Sequence, residues 1–316
     1  MSNIECVCPT CSTVHQSQTG EIGRTFICTR CRAECIVPSL RVDPGMRFGP
    51  YHVLRPVGCG ASSEVHLAED SRDGRQLALK ILFVDEAEKD VDTQRFLREV
   101  KNASTLSHPN LLEIYDTGQA HNLYFLAMEF VEGDTIDKLL EEHGELPEKE
   151  ALGIARDVAT AMRYAWNEKQ LVHRDIKPGN IIISFDGRCK LMDLGIAKSL
   201  LHDLTKLTAQ DMVIGSPPYM SPEQCSPGKL IDFRADIYSL GATLFHLLTN
   251  EFPFLGKTSV ETLRLQLFGQ LPDPRSINPQ LSDRSARLIQ KMMAKSANNR
   301  HLSWDELLAE INSALK

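Results

Sequence analysis

The sequence predicts an α+β chain in which a small cysteine-rich module precedes a strand-rich part and then a helix-rich part. Three observations lead there. Cys6, Cys8, Cys11, Cys28, Cys31 and Cys35 crowd into the first 35 residues, while the other three of the nine cysteines are scattered. Short apolar runs bounded by Gly and Asp follow from Tyr51 to Phe130, the pattern of antiparallel strands. After Gly133 the apolar residues recur at helical spacing instead.

In chain order, residues 1–40 form the cysteine module and residues 41–48 a linker, because Asp43-Pro44-Gly45 supplies breaker chemistry there. Residues 49–316 form the main body, with 49–131 rich in strands and 132–316 rich in helices. The runs YHVLRPV, SEVHLAED, QLALKILFV, LLEIYDTG and LYFLAMEF are the expected strands. One helix is expected among them, from Thr93 to Thr105, where Phe96, Val100 and Ala103 share a face and put Glu99 at its edge. Ala151–Trp166 and Ile237–Leu248 are the clearest helices beyond.

Composition narrows the function. The chain has 316 residues, 42% of them hydrophobic and 24% charged, which suits a packed globular protein. A net charge of -7 argues against a surface built for nucleic acid, so that partner is not expected. No run approaches the roughly 18 apolar residues of a membrane span. The opening MSNIECVCPT lacks the basic start and apolar stretch of an export signal, so a cytoplasmic location is expected.

The cysteines carry one chemical signal. In CPTC and CTRC, Cys8, Cys11, Cys28 and Cys31 make two Cys-x-x-Cys pairs, a spacing that lets two tight turns present four thiolates to Zn²⁺. The segment has few large apolar residues (Ile22, Phe26, Ile27, Ile36, Val37), so a metal would have to supply its folding energy. It resembles a zinc ribbon. Two disulfides or unmodified thiols are the alternatives, and Cys6 and Cys35 stand outside the four-ligand set as alternates or packing groups. Arg24, Arg30 and Arg32 add modest basic character without an aromatic-basic pattern, which suits a protein partner better than nucleic acid.

The second signal is spread along the main body. In VGCGASSEV, glycines between two strands let backbone N–H groups approach phosphate oxygens, although a glycine pair alone is more often a plain turn. In LALK, Lys80 ends a run of small and apolar residues, and Glu99 offers a carboxylate to fix its ammonium. LVHRDIKPGNIIIS packs His173, Arg174, Asp175, Lys177 and Asn180 into eight positions. Asp175 can accept a proton from an attacking hydroxyl, Lys177 can neutralise a transferring phosphate, and Asn180 can hold a divalent ion. In CKLMDLGIAK, Asp193 at a strand end is a carboxylate suited to Mg²⁺.

This ordered set resembles the eukaryotic-like Ser/Thr protein kinases of bacteria over about residues 48–315. The resemblance implies a two-lobed protein kinase fold with ATP in the cleft. It implies that Val57, Gly58, Gly60 and Val65 cover ATP, that Lys80 contacts its phosphates and that Glu99 is the helix partner of Lys80. Met128-Glu129-Phe130-Val131 resembles the hinge, with Glu129 and Val131 meeting adenine through backbone groups and Ala78 and Ile182 flanking the ring. Asp175 resembles the catalytic base, and Asn180 and Asp193 the ligands of Mg²⁺, with Mn²⁺ as a substitute. Glu223 in GSPPYMSPEQ resembles the partner of Arg300, and Asp236 in DIYSLG the brace of the catalytic loop.

Lys177 and Ser216 suggest Ser/Thr specificity, so the implied partners are ATP and proteins with Ser/Thr acceptors. Arg174 could pair with a phosphate on Thr205 or Thr208, which implies autophosphorylation, with transient pairing of two copies as one route. Three positions depart from the family pattern: Ser63 for the third glycine, Leu194 for Phe, and Ser221 for the small residue before Pro222. None removes a catalytic group. Two other readings stay open at this point. One is a pseudokinase scaffold that binds ATP and recruits a partner through the ribbon; the other makes the ribbon a nucleic-acid reader.

Overall fold

A computed structural model describes residues 3–8, 13–18, 25–36, 42–59, 63–82, 104–121, 123–193, 216–226 and 228–316. The chain divides into two units, Met1–Ser107 with Leu112–Glu132, and His108–Leu111 with Gly133–Lys316. The expected helix from Thr93 falls almost wholly outside the described residues, and Glu99 with it.

The first unit is built on strands β1 (Asn3–Val7), β2 (Val14–Gln18), β3 (Thr25–Ile27), β4 (Glu34–Ile36), β5 (Arg47–Phe48), β6 (Tyr51–Cys59), β7 (Ser63–Asp70), β8 (Gln76–Leu82), β9 (Ile114–Ala120) and β10 (Leu123–Met128). Among the described residues, eight of these form one sheet in the order β2-β1-β6-β7-β8-β10-β9, with β5 added against β6. The β1–β6 pairing is parallel and the others in this sheet are antiparallel. Strands β3 and β4 make a separate hairpin.

One face of the sheet buries Val53, Ala68, Leu77, Leu79, Ile81, Phe125 and Ala127, the alternate positions that a period of two predicts. Phe48 and Tyr51 close this core edge-on to Phe125, with ring centroids 6.1 and 5.6 Å away. Gly118 makes room for that ring, since a Cβ there would lie 2.7 Å from Phe125 Cζ. Asp43-Pro44-Gly45 does turn the chain, with Gly45 at φ 91°, and Val42 and Phe48 on either side of it are fully buried. The pairing of β6 with β7 shifts register between Pro56 and Gly58, which accommodates a proline with no ladder donor.

The second unit carries a three-stranded sheet, β11 (Gly133–Thr135), β12 (Ile181–Ser184) and β13 (Cys189–Leu191), in the order β11-β12-β13. Its helices are α1 (Ile136–His143), α2 (Glu148–Lys169), α3 (Phe233–Thr249), α4 (Ser259–Phe268), α5 (Asp283–Met292) and α6 (Trp304–Ala314). Helix α3 is buried at every position from Ala235 to Thr249, and the serine and threonine hydroxyls it buries are hydrogen-bonded, Ser239, Thr243 and Thr249 to the carbonyls of Ala235, Ser239 and Phe245. It starts where the Asp232 side chain accepts the Arg234 N–H, and it ends at left-handed Asn250. Thr258, Ser282 and Ser303 cap α4, α5 and α6 in the same way. Among the described residues, no helix is long and apolar enough to cross a membrane.

Candidate active site

The loop between α2 and β12 is held from beneath by helix α3. Asp236, wholly buried in its first turn, accepts the backbone N–H of His173 at 2.7 Å and that of Arg174 at 2.8 Å. Arg174 sits at φ 64°, a left-handed conformation costly for a side chain with a Cβ, and these two hydrogen bonds hold it there. Gln224 adds a third tie by donating to the Arg174 carbonyl at 2.8 Å. Burial pushes the Asp236 carboxyl up to about 7, against the pull of the two N–H donors and of Arg174.

His173 locks the next link. Its Nε2 lies 2.9 Å from the Met192 carbonyl, which can only accept, so Nε2 carries the proton and Nδ1 accepts the Asp175 N–H at 3.2 Å. The short 3₁₀ turn Pro178–Asn180 then folds Asn180 back on Asp175. Asn180 Nδ2 donates to the Asp175 carbonyl at 2.8 Å and to Asp175 Oδ2 at 3.0 Å. Both amide hydrogens are used, so its Oδ1 is the atom that can face a cation.

Lys177 bridges two elements far apart in sequence. Its Nζ lies 3.4 Å from Asp175 Oδ2 and donates to Ser216 Oγ at 2.8 Å. Ser216 is buried, and its segment is tied down by Gln266 on α4, whose Nε2 donates to the carbonyls of Pro217 and Pro218 at 2.9 and 2.7 Å. Asp193 follows β13 at φ 52° and is exposed. The Met192 N–H donates to the Asn180 carbonyl at 2.8 Å, which ties the chain before Asp193 to the residue expected to share a metal with it. Ile182 is buried on β12. A carboxylate, an ammonium and a hydroxyl thus stand in one line beside an amide oxygen, a set that can take a proton while balancing negative charge.

In the first unit, Gly58, Val65 and Lys80 occupy one register line across β6, β7 and β8. Ala78 is buried on β8 opposite Met128, and Lys80 pairs in register with Leu126. Val57 precedes the glycine, and Glu129 and Val131 follow β10, where the Glu129 N–H donates to Glu113 O at 2.8 Å. Gly60, Glu99, Thr205 and Thr208 lie outside the described residues. Arg174 Nε is buried and has no hydrogen-bond partner among the described residues.

The cysteine module brings Cys8, Cys28 and Cys31 together, their Sγ atoms all within 4.8 Å of one another. Cys8 and Cys31 stand 3.5 Å apart, far beyond a disulfide bond of about 2.05 Å and near the ~3.8 Å expected between two sulfurs on one tetrahedral zinc. Backbone hydrogen bonds brace two of them: the Cys8 N–H reaches Thr13 O and the Cys28 N–H reaches Ala33 O, both at 2.8 Å. Cys11 lies outside the described residues. His15, which the cysteine spacing does not reveal, is buried with Nε2 3.2 Å from Cys28 Sγ. Cys35 is buried beside the cluster, and burial followed by the nearby Cys8 pushes its thiol up to about 12.

Comparison with known proteins places this geometry. The protein kinase domain family matches residues 51–310. Serine/threonine-protein kinase PrkC of Bacillus subtilis is 39% identical over 266 residues, covering 84% of this chain and 40% of PrkC. Serine/threonine-protein kinase PknB of Mycobacterium leprae is 36% identical over 259 residues, covering 81% of this chain and 41% of PknB. The chain therefore spans about two fifths of the length of these relatives. Two crystal structures of the Mycobacterium tuberculosis PknI kinase domain superpose with TM-scores of 0.69 and 0.70 at 28% and 29% identity. They cover 86% of this chain in both cases, and 99% and 98% of theirs. With a kinase-type loop braced from α3 and a family match running through both units, this chain belongs to the protein kinase family, among relatives of the bacterial serine/threonine type.

Proposed function

We propose that this chain is an ATP-dependent protein serine/threonine kinase. The observation that carries the reading is the Asp175–Lys177–Ser216 line with Asn180 folded against it. The acceptor hydroxyl gives its proton to Asp175 as its oxygen bonds to the γ-phosphorus of ATP, and the bond from that phosphorus to the bridging oxygen breaks to release ADP. Lys177 balances charge on the phosphoryl group in flight, and its bond to Ser216 fixes where the acceptor segment lies. Mg²⁺, or Mn²⁺ in its stead, bound by Asn180 and Asp193 would neutralise charge on the ATP phosphates.

In the same reading, Gly58, Gly60, Val57 and Val65 cover the nucleotide and Lys80, steadied by Glu99, meets its phosphates. Ala78 and Ile182 flank adenine, and the backbone of Glu129 and Val131 recognises its edge. Regulation enters through Arg174, whose buried Nε suits a phosphate on Thr205 or Thr208 delivered by a second copy of the chain. Residues 1–40 act as a zinc module for a protein partner, with Cys8, Cys28 and Cys31 joined by Cys11 or His15, while residues 41–48 connect it to the kinase domain at 49–316, lobes 49–131 and 132–316, in the cytoplasm.

The test is transfer of labelled phosphate from Mg²⁺-ATP to the chain itself and to a generic basic protein, compared with Asp175→Asn. The variant should lose about a hundredfold or more of the rate, the usual share of a general base, while still binding ATP. Equal silence of both proteins with ATP binding intact would establish a scaffold instead.

A further inference from the structure

We propose that metal loading of the N-terminal module sets the affinity of the kinase for ATP, and that strand pairing carries the effect. This rests on the zinc reading of the cysteine cluster. Strand β1 is not a free arm: it lies between β2 and β6 within the main sheet. Its parallel register pairs Glu5 with Gly58 and Cys6 with Cys59. Those partners are the last two residues of β6, where the chain enters the glycine loop. The line through Gly58 continues to Val65 on β7 and Lys80 on β8. One backbone ladder therefore connects the module to three positions expected to surround the phosphates.

The other end of β1 runs directly into the thiol cluster. Val7 ends the strand and Cys8 follows, fully buried, its N–H closing the hairpin on Thr13 O. Cys28 and Cys31 come from the turn between β3 and β4, so a bound metal cross-links the two hairpins through sulfur. His15 on β2 reinforces the same junction, edge-on to Phe26 with centroids 5.0 Å apart. A segment with so little apolar surface depends on such a cross-link for its order.

With the metal in place, β1 is held as a strand and fixes the backbone of Gly58 and Cys59. When the metal leaves, the module loses its cross-link, β1 no longer templates Gly58 and Cys59, and those two residues must be ordered by ATP itself. That ordering cost lowers affinity for the nucleotide, and specifically for its phosphate end. By linkage, ATP in turn tightens the hold on the metal.

The experiment uses the full chain. Its metal content is measured by elemental analysis, zinc is then stripped with a chelator that is removed by gel filtration, and Mg²⁺-ATP and adenosine are titrated by calorimetry before and after one equivalent of Zn²⁺ is returned. Stripping should weaken ATP by about fivefold or more, in the range of ordinary inter-site coupling, leave adenosine nearly unchanged, and be reversed by zinc. Glu5→Pro removes a ladder donor from β1 but no thiol; it should keep its zinc, bind ATP weakly from the start and no longer respond to stripping. Zinc-loaded and stripped protein with equal ATP affinity would overturn the coupling, as would equal losses for ATP and adenosine, or a Glu5→Pro chain that still responds. A protein purified with no thiophilic metal, and taking none up, would overturn the zinc reading itself.

Discussion

Glu223 and Arg300 are far apart in sequence and meet as a two-pronged ion pair, Nη1 to Oε1 at 2.6 Å and Nη2 to Oε2 at 2.9 Å. The Arg300 side chain is 0% exposed, and its remaining donors are spent on the carbonyls of Arg234, Lys295 and Ala294 at 2.8, 3.2 and 2.8 Å. All five guanidinium N–H groups are thereby satisfied, with the Tyr238 ring 4.9 Å away. Glu223→Ala strands a buried positive charge and two donors, which costs about 3–5 kcal/mol. For a domain of this size that is a fall in Tm of about 5–9 °C. Glu223→Leu combined with Arg300→Met removes both charges and should recover part of the loss, the remainder reflecting the carbonyls of Arg234, Lys295 and Ala294 that lose the guanidinium donor. Urea unfolding of the wild type, both single variants and the double variant measures a coupling energy, expected at about 2 kcal/mol or more. A Glu223→Ala loss below about 1 kcal/mol, or strictly additive single effects, would show that water reaches the guanidinium and that the reasoning is wrong.

Asp236 should impose a pH dependence. Its folded carboxyl is raised from 3.8 to about 7, so the folded protein binds more protons in that window and the group's contribution is fully present below about pH 4 and lost as pH rises through 7. Relative to Asp236→Asn, wild-type stability should decline by up to ~1.4 kcal/mol per pH unit across that range, read from urea midpoints. A difference that does not vary with pH would mean the carboxyl is not raised. Gln266→Leu removes the side-chain donor to the carbonyls of Pro217, which keeps the Met220 N–H at 3.3 Å, and Pro218, and it removes the acceptor of the Tyr238 hydroxyl, which donates to Gln266 Oε1 at 2.6 Å. It should cost about 2–3 kcal/mol and lower kcat through the displaced Ser216, with the Kd for ATP unchanged. Equal kcat in the two proteins would separate this tie from the Lys177–Ser216 line.

The catalytic loop was legible because its chemistry is local. Asp175, Lys177 and Asn180 fall within one turn of chain, and Pro178 at the start of the 3₁₀ turn already favours the fold that brings Asn180 back to Asp175. Short apolar runs bounded by turn residues likewise revealed β6, β7, β8 and β10, since β8 and β10 bury nearly every residue and so read as continuous apolar stretches. The first strand-like residues of LLEIYDTG instead precede β9, which begins only at Ile114. Ser216, Asp236 and Arg300 were reached only through family resemblance, because no local pattern links them to residues some 40 to 80 positions away.

Other features left no mark. Gln224 reads as an ordinary turn glutamine, yet it holds the Arg174 carbonyl. His15 stands outside any Cys-x-x-Cys spacing, yet the β1–β2 hairpin turns it toward Cys28. The sequence by itself determined which chemical groups are present, the strand and helix periods, and the family to which they belong. Only the tertiary structure decided that β1 joins the sheet at Gly58 and Cys59, because strand pairing is made by backbone N–H and C=O groups that every residue carries alike. Side-chain patterns can say that a strand exists; which edge it finds depends on the whole folded sheet.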